Sequence, residues 1–173
     1  MTETPVDIQY QSILRMSERL EADGEISLTV SATDWLRKVL LLSAASYFEH
    51  RVVEVVLGFV SERSRSDEAI TAMIKTKVVD RKYHTFFNWE GKNANSFFSM
   101  FGSTLADQLK AQAKSDQLID DSVIAFLELG HLRNQLVHEN FATFPIPKTI
   151  GEIYLLYQTA SRFLDFVETS LQP

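Results

Sequence analysis

The chain has 173 residues, 45% of them hydrophobic, and its 23 acidic residues outnumber its 17 basic ones to give a formal net charge of −6. A chain of this length typically forms one domain with a sizeable core, so we expect neither disorder nor reliance on disulfides. The acidic balance argues against a protein that coats nucleic acid, although a small basic groove remains compatible with it. Because the chain has no cysteine, disulfide scaffolds, thiolate zinc sites and cysteine nucleophiles are excluded.

No segment of the sequence predicts targeting or membrane insertion. Residues 1–15 contain acidic side chains and no apolar run, so we expect no signal peptide. The most apolar stretch, residues 39–60, is interrupted by Glu49, His50, Arg51 and Glu54. That charge density is too high for a bilayer span, and we expect a cytoplasmic protein with no membrane partner.

Proline and glycine are sparse, at four and six residues, which favours long helices over many turns. The predicted elements are, in chain order, a helix over 6–21, a short strand or extended linker over 25–30, a long second helix capped by Thr33 or Asp34 and running to Val60, a third helix over 68–82, an aromatic loop over 83–102, helices over 104–114 and 123–139, and a last helix from Ile150. We predict an all-α bundle of about five helices. We expect residues 1–33 to form an N-terminal helix and linker within the same domain as residues 34–173.

The last helix repeats apolar residues at alternating intervals of three and four from Ile150 to Leu171. Such a seam packs against another helix, either in this chain or in a partner.

Two charged residues fall on apolar helix faces. When side chains are placed at about 100° per residue, Glu49 lies among the apolar residues of the second helix and Arg133 lies within the apolar strip of residues 123–139. An unpaired buried charge costs several kcal/mol, so each needs a partner or a wet cleft. We predict that Glu49 and Arg133 face each other, with the carboxylate holding the planar guanidinium. A purely structural ion pair explains the pattern equally well.

Two neighbouring polar residues favour a functional site over a structural pair. His138 lies about one and a half turns beyond Arg133, and Asn134 adds a neutral donor between them. A cation, an amide and an imidazole beside a carboxylate suit phosphodiester chemistry. Acyl transfer is disfavoured because the chain has neither a Gly-x-Ser-x-Gly elbow nor a cysteine.

Residues 132–138, Leu-Arg-Asn-Gln-Leu-Val-His, resemble the Arg-Asn-x-x-x-His motif of the HEPN superfamily, small α-helical proteins many of which are ribonucleases. Residues 44–49 resemble the segment in which that superfamily keeps an acidic residue facing the catalytic pair. Residues 95–102, together with the motif helix and a closing helix, are similar to the RiboL-PSP branch. The likeness in element order extends over residues 34–170.

The resemblance implies a metal-independent endoribonuclease without a cofactor, acting in toxin–antitoxin, phage-defence or RNA-processing settings. Arg133 would bind the scissile phosphate, and His138 would act as general base or acid at the 2′-hydroxyl. Asn134 would position the site and Glu49 would orient Arg133. Cleavage of single-stranded RNA by the 2′-oxygen would leave a 2′,3′-cyclic phosphate.

The resemblance also implies partners. One histidine cannot easily remove and deliver protons at the same instant, so a homodimer with a composite active site would supply a second His138. An antitoxin or a larger defence complex would be a further partner.

Several other residues are candidates for binding. Lys75, Lys77, Arg81 and Lys82 are predicted RNA guides, and the interleaved aromatic residues either stack on bases or fill the core. Glu128 and His131 have the Glu-x-x-His spacing of di-iron bundles, but no second copy exists, so we expect no metal site. The sequence does not decide between a structural and a functional role for His84.

The sequence alone leaves the enzymatic activity undecided, although it favours a ribonuclease. The alternative is a non-catalytic module of a defence or toxin–antitoxin system that binds RNA, a nucleotide or a protein.

Overall fold

The computed structural model describes residues 3–80 and 82–172, and within them it contains seven α-helices and no β-strand. The helices are α1 (Pro5–Ala22), α2 (Ile26–Arg63), α3 (Glu68–Ile74), α4 (Asn95–Phe98), α5 (Ser103–Ser115), α6 (Gln117–His138) and α7 (Ile150–Leu171). A π-helical turn (Lys75–Val79) continues α3, and 3-10 turns form at Tyr83–Thr85 and Ser99–Phe101. The predicted all-α bundle with a long second helix is confirmed. The helix count exceeds five partly because the aromatic segment, residues 83–102, contains a short helix.

Side-chain caps fix the starts of α1 and α7. Thr4 accepts a hydrogen bond from the Asp7 amide, and the Asp7 carboxylate accepts one from the Thr4 amide. Thr149 and Glu152 form the same reciprocal box at the start of α7. Each box satisfies backbone donors that have no partner within the helix, which explains why both helices begin close to their predicted positions.

The start of α2 differs from the prediction. The expected strand or linker over 25–30 is helical from Ile26, and α2 has no side-chain cap. Thr33 donates its hydroxyl to the Thr29 carbonyl one turn earlier, at 2.7 Å, instead of capping a helix. Asp34 binds Arg37 and Lys38, each at 2.9 Å, one turn later. Because these side chains are satisfied within a continuous helix, the boundary expected at residues 33 and 34 falls inside α2.

The long helix α2 packs against α1, α6 and α7. The seam predicted on α7 faces this chain: Ile153, Tyr157, Ala160, Leu164, Val167 and Leu171 are all buried. An ion pair links the outer edges of α2 and α7, where the Arg51 guanidinium lies 2.5 Å from the Glu168 carboxylate. The apolar periodicity of α7 therefore reflects packing within the bundle.

The aromatic segment closes one side of the bundle. Phe86, Phe87, Phe97 and Phe98 are each no more than 5% exposed. The Phe87 ring lies 4.8 Å from the ring centroid of Phe126 on α6. Of the two interpretations of this segment, core filling is correct for these four residues, and their burial fixes the position of the neighbouring Tyr83 and Trp89.

The connection between α6 and α7, residues 139–149, is held by the start of α2. Lys38 is only 1% exposed, and its ammonium donates to the Ala142 carbonyl at 3.2 Å while pairing with Asp34. Arg37 donates to the carbonyls of Ile146 and Lys148, both at 3.5 Å. These contacts anchor the segment that follows α6, the helix that carries the motif residues 132–138.

Candidate functional site

A cavity of about 510 Å³ lies between α2, α6 and residues 83–89. Its size falls within the range of roughly 300–1,000 Å³ that is typical of small-ligand sites. The polar side of its lining consists of Glu49, Tyr83, His84, Arg133, Asn134 and His138. The four residues that the sequence analysis selected as catalytic candidates therefore share one cavity.

Helix α6 brings three of these candidates to one side. Arg133, Asn134 and His138 follow Gly130 by three, four and eight residues, a spacing that places side chains along one helix face. The guanidinium of Arg133 donates to the Asn134 side-chain oxygen at 3.1 Å, which limits where the cation lies. His138 is the last residue of α6 and is exposed, so its imidazole is accessible to a large ligand.

Glu49 lines the cavity from α2, and its predicted contact with Arg133 on α6 is wrong. Across the described residues, no guanidinium nitrogen of Arg133 lies within 4.0 Å of the Glu49 carboxylate. Both side chains are half-buried beside the cavity, which lets water or a ligand solvate each charge. The cavity therefore explains how two apolar helix faces each carry a charged residue. The structural ion pair, which explained the sequence pattern equally well, is not formed.

Tyr83 interacts with both charges. Burial raises the pKa of the Tyr83 phenol above its usual range, the Glu49 carboxylate raises it further, and the Arg133 guanidinium partly offsets the rise. The phenol therefore stays neutral at physiological pH. It supplies the cavity with a hydroxyl that can donate a hydrogen bond without carrying charge.

Trp89 forms part of the cavity wall by packing directly on α6. A Cβ atom placed on Gly130 would lie 2.1 and 2.2 Å from two ring carbons of Trp89, so only glycine leaves room for the indole. The indole nitrogen donates to the His84 carbonyl at 2.9 Å. Gly130, Trp89 and His84 are thus linked into one wall.

The predicted RNA guides lie elsewhere. Lys75 and Lys77 are exposed on the π-helical turn, and Lys82 is exposed just before Tyr83. These three lysines are not part of the cavity lining, which is formed by other described residues. Arg81, the fourth predicted guide, lies outside the described residues.

Sequence reasoning missed several residues of the site: Tyr83, Trp89, Gly130 and the placement of His84. The aromatic enrichment of residues 83–101 was visible, but it does not distinguish a ring that fills the core from one that lines a cavity. The signal available for Gly130 was a glycine inside the predicted helix over 123–139, a position where close packing against the helix is one physical reason for a glycine.

In residues 3–80 and 82–172, no group of three or more histidine, aspartate or glutamate side chains is arranged to hold a metal ion. None of the helices in those ranges combines the length and apolarity needed to cross a bilayer.

The fold and the cavity define an all-α protein whose motif helix presents an arginine, an amide and an imidazole to one site. The family model described as RiboL-PSP-HEPN matches residues 10–172, and the chain belongs to that family. No curated protein and no solved structure matches the chain.

Proposed function

We propose that this protein is an endoribonuclease of the HEPN type that cuts single-stranded RNA without a metal ion, in a toxin–antitoxin, phage-defence or RNA-processing role. The observation that carries the proposal is the shared cavity of Arg133, Asn134, His138 and Glu49. A cation and an imidazole on one face of a helix are suited to a phosphodiester, where negative charge develops on the phosphate and a proton leaves the 2′-hydroxyl.

Arg133 binds the scissile phosphate because a guanidinium remains charged and offers a planar pair of donors. His138 removes the proton from the 2′-hydroxyl, since an imidazole ordinarily titrates near neutral pH. Attack of the 2′-oxygen on phosphorus then releases the 5′-oxygen and leaves a 2′,3′-cyclic phosphate and a 5′-hydroxyl.

Asn134 and Glu49 position these two groups. The hydrogen bond from Arg133 to Asn134 directs the guanidinium along α6. Glu49 acts from α2, where its charge attracts the guanidinium without the direct contact of an ion pair.

A homodimer gives this chemistry a composite site. His138 is exposed at the end of α6, so the same helix of a second copy has access to it. Two copies related by a two-fold axis would place both motif helices along one cleft. An antitoxin or defence-complex partner would control access to that cleft.

The RNA outside the cleft is guided by Lys75, Lys77, Arg81 and Lys82. The three of these that the structure describes are exposed and precede Tyr83 and His84 on the cavity wall. A local basic run of this kind reconciles RNA binding with a net charge of −6.

Incubation of purified protein with mixed-sequence RNA in EDTA tests the proposal, with His138→Ala and Arg133→Ala beside the wild type. His50→Ala is the matched control because His50 is also exposed on a helix but lies outside the cavity. We expect cleavage by the wild type and the control and a loss of at least about 100-fold in both cavity variants. Cleavage that requires a metal ion, or that both cavity variants retain, contradicts the proposal, and binding without cleavage supports the non-catalytic alternative.

A further inference from the structure

His84 lies in the same cavity as His138, although the two residues are far apart in sequence. His138 contributes to the cavity lining from the end of α6, and His84 contributes to it from the 3-10 turn Tyr83–Thr85. Both residues are exposed. A single copy of the chain therefore presents two histidines to one site.

The position of His84 is fixed by its neighbours. Its carbonyl accepts the indole hydrogen bond of Trp89, and the Trp89 ring packs on Gly130 one turn before Arg133. Phe86 and Phe87, two and three residues after His84, are 3% and 5% exposed and anchor the turn in the core. The backbone of His84 is thus held against the helix that carries Arg133 and His138.

Cleavage by internal attack needs a second proton transfer that the proposed roles leave unassigned within one chain. The 2′-hydroxyl loses a proton as the bond from the 2′-oxygen to phosphorus forms. The 5′-oxygen gains a proton as its bond to phosphorus breaks, because an alkoxide is otherwise a poor leaving group. Tyr83 is a weak candidate for this donor, since burial and Glu49 raise the pKa of its phenol.

We propose that His84 is the general acid of the reaction, a role that rests on the proposed ribonuclease function. Neutral His138 accepts the proton of the 2′-hydroxyl, and protonated His84 gives a proton to the departing 5′-oxygen. The products are a 2′,3′-cyclic phosphate and a 5′-hydroxyl, and proton exchange with water restores both imidazoles. Each copy of the chain then holds its own acid and base, so that the proposed homodimer is not required to supply the acid through a second His138.

The charged and titratable groups that share the cavity with His84 come from three directions. They are Glu49 from α2, Arg133 and His138 from α6, and Tyr83 from the adjacent position on the same turn. A mechanism with one neutral and one protonated imidazole gives a bell-shaped dependence of kcat/KM on pH. Removal of the acid abolishes the decline at high pH and leaves the rise at low pH.

The test uses two forms of one oligoribonucleotide, cut at a linkage first mapped with the wild type. One form is natural RNA, and the other carries sulfur in place of the bridging 5′-oxygen at that linkage. A thiol has a pKa of about 8.5, so a thiolate departs without a proton from the enzyme. Wild type, His84→Ala, His84→Gln, His138→Ala and the control His50→Ala are compared on both forms.

We expect both His84 variants to cut natural RNA at least about 100-fold more slowly than the wild type does. On the sulfur-containing RNA, their cleavage rates should lie within about tenfold of the wild-type rate. His138→Ala should be slow on both, because the base is still required. Circular dichroism shows whether the variants remain folded, as we expect for an exposed side chain.

The outcomes separate this assignment from the function on which it rests. If the wild type cuts natural RNA and the His84 variants match it, the acid is another group, such as His138 of a second copy, and the assignment is wrong. Equal loss on both substrates by the His84 variants also overturns it, because His84 then acts in binding or folding. A wild type that leaves natural RNA uncut overturns the proposed function itself, and this assignment with it.

Discussion

Replacing Gly130 with alanine tests the packing of the cavity wall. The new methyl group would lie 2.1 and 2.2 Å from Trp89 ring carbons, whereas ordinary contact begins at 3.4 Å. The indole must therefore retreat by about 1.2 Å or more. That movement disturbs its hydrogen bond to the His84 carbonyl and its packing against Phe126 and Phe87.

The size of the effect follows from one stabilising and two destabilising contributions. Alanine stabilises a helix interior by about 1 kcal/mol relative to glycine. Overpacking a filled site costs about 1–3 kcal/mol, and weakening the indole hydrogen bond costs about 1 kcal/mol more. We therefore expect Gly130→Ala to lower the free energy of unfolding by roughly 1–3 kcal/mol.

Gly58 on α2 offers a matched control. Among the described residues, nothing outside the local backbone lies within 4 Å of a Cβ atom built at Gly58. Gly58→Ala should therefore raise the free energy of unfolding by up to about 1 kcal/mol. Both variants are measured by urea unfolding, and Trp89 emission is followed in a Trp35→Phe background. If Gly130→Ala stabilises the protein as Gly58→Ala does and leaves the emission unchanged, the packing of Trp89 on Gly130 is refuted.

Three further predictions concern an ion pair, the cavity and the basic run. Asp34→Asn should lower the free energy of unfolding by roughly 2 kcal/mol because it removes the negative charge that pairs with the buried Lys38 ammonium; a change under about 0.5 kcal/mol contradicts this. The Lys38 hydrogen bond lowers the pKa of Asp34 from 3.8, so the wild type should lose this stabilisation as the pH falls below that value, and the variant should not. Glu49→Gln should slow RNA cleavage about tenfold. The free energy of unfolding should change by less than about 0.5 kcal/mol, since no ion pair is lost. An unchanged cleavage rate would contradict the positioning role of Glu49. Replacing Lys75, Lys77 and Lys82 with serine should weaken RNA binding and flatten its salt dependence, and an unchanged slope contradicts an RNA-guiding role.

The helical architecture could be predicted from the sequence because local signals and packing agree for most of the chain. Thr149 and its glutamate partner cap α7 where the apolar repeat begins, so cap and periodicity mark the same start. The start of α2 was missed because polar and apolar side chains alternate over residues 25–30, a pattern that also predicts a strand. These residues are helical because they extend α2, which tertiary packing stabilises from Lys38 onward. Packing does not hold Ile26 itself, since that residue is 77% exposed.

The sequence pointed to four of the residues that line the cavity, but to neither Tyr83, Trp89 and Gly130 nor the contacts among the lining residues. A helical wheel gives the direction of Glu49 and Arg133 around their own helices, and both do face the same cavity. The wheel does not give the distance between helices, so it could not show that the two charges remain apart. His84 and Trp89 reach the site through a turn whose path is set by buried phenylalanines, and no helical periodicity encodes that path.

The most direct test of the account is the chemistry of the RNA ends produced in EDTA. A single-stranded oligoribonucleotide is digested with wild-type protein, and the products are identified by mass spectrometry beside an oligonucleotide that lacks the 2′-hydroxyl at the cut position. We predict a 2′,3′-cyclic phosphate on one fragment, a 5′-hydroxyl on the other, and no cleavage of the 2′-deoxy form. Fragments that carry a 5′-phosphate, or equal cleavage of the 2′-deoxy form, would contradict attack by the 2′-oxygen at the cavity of Arg133 and His138.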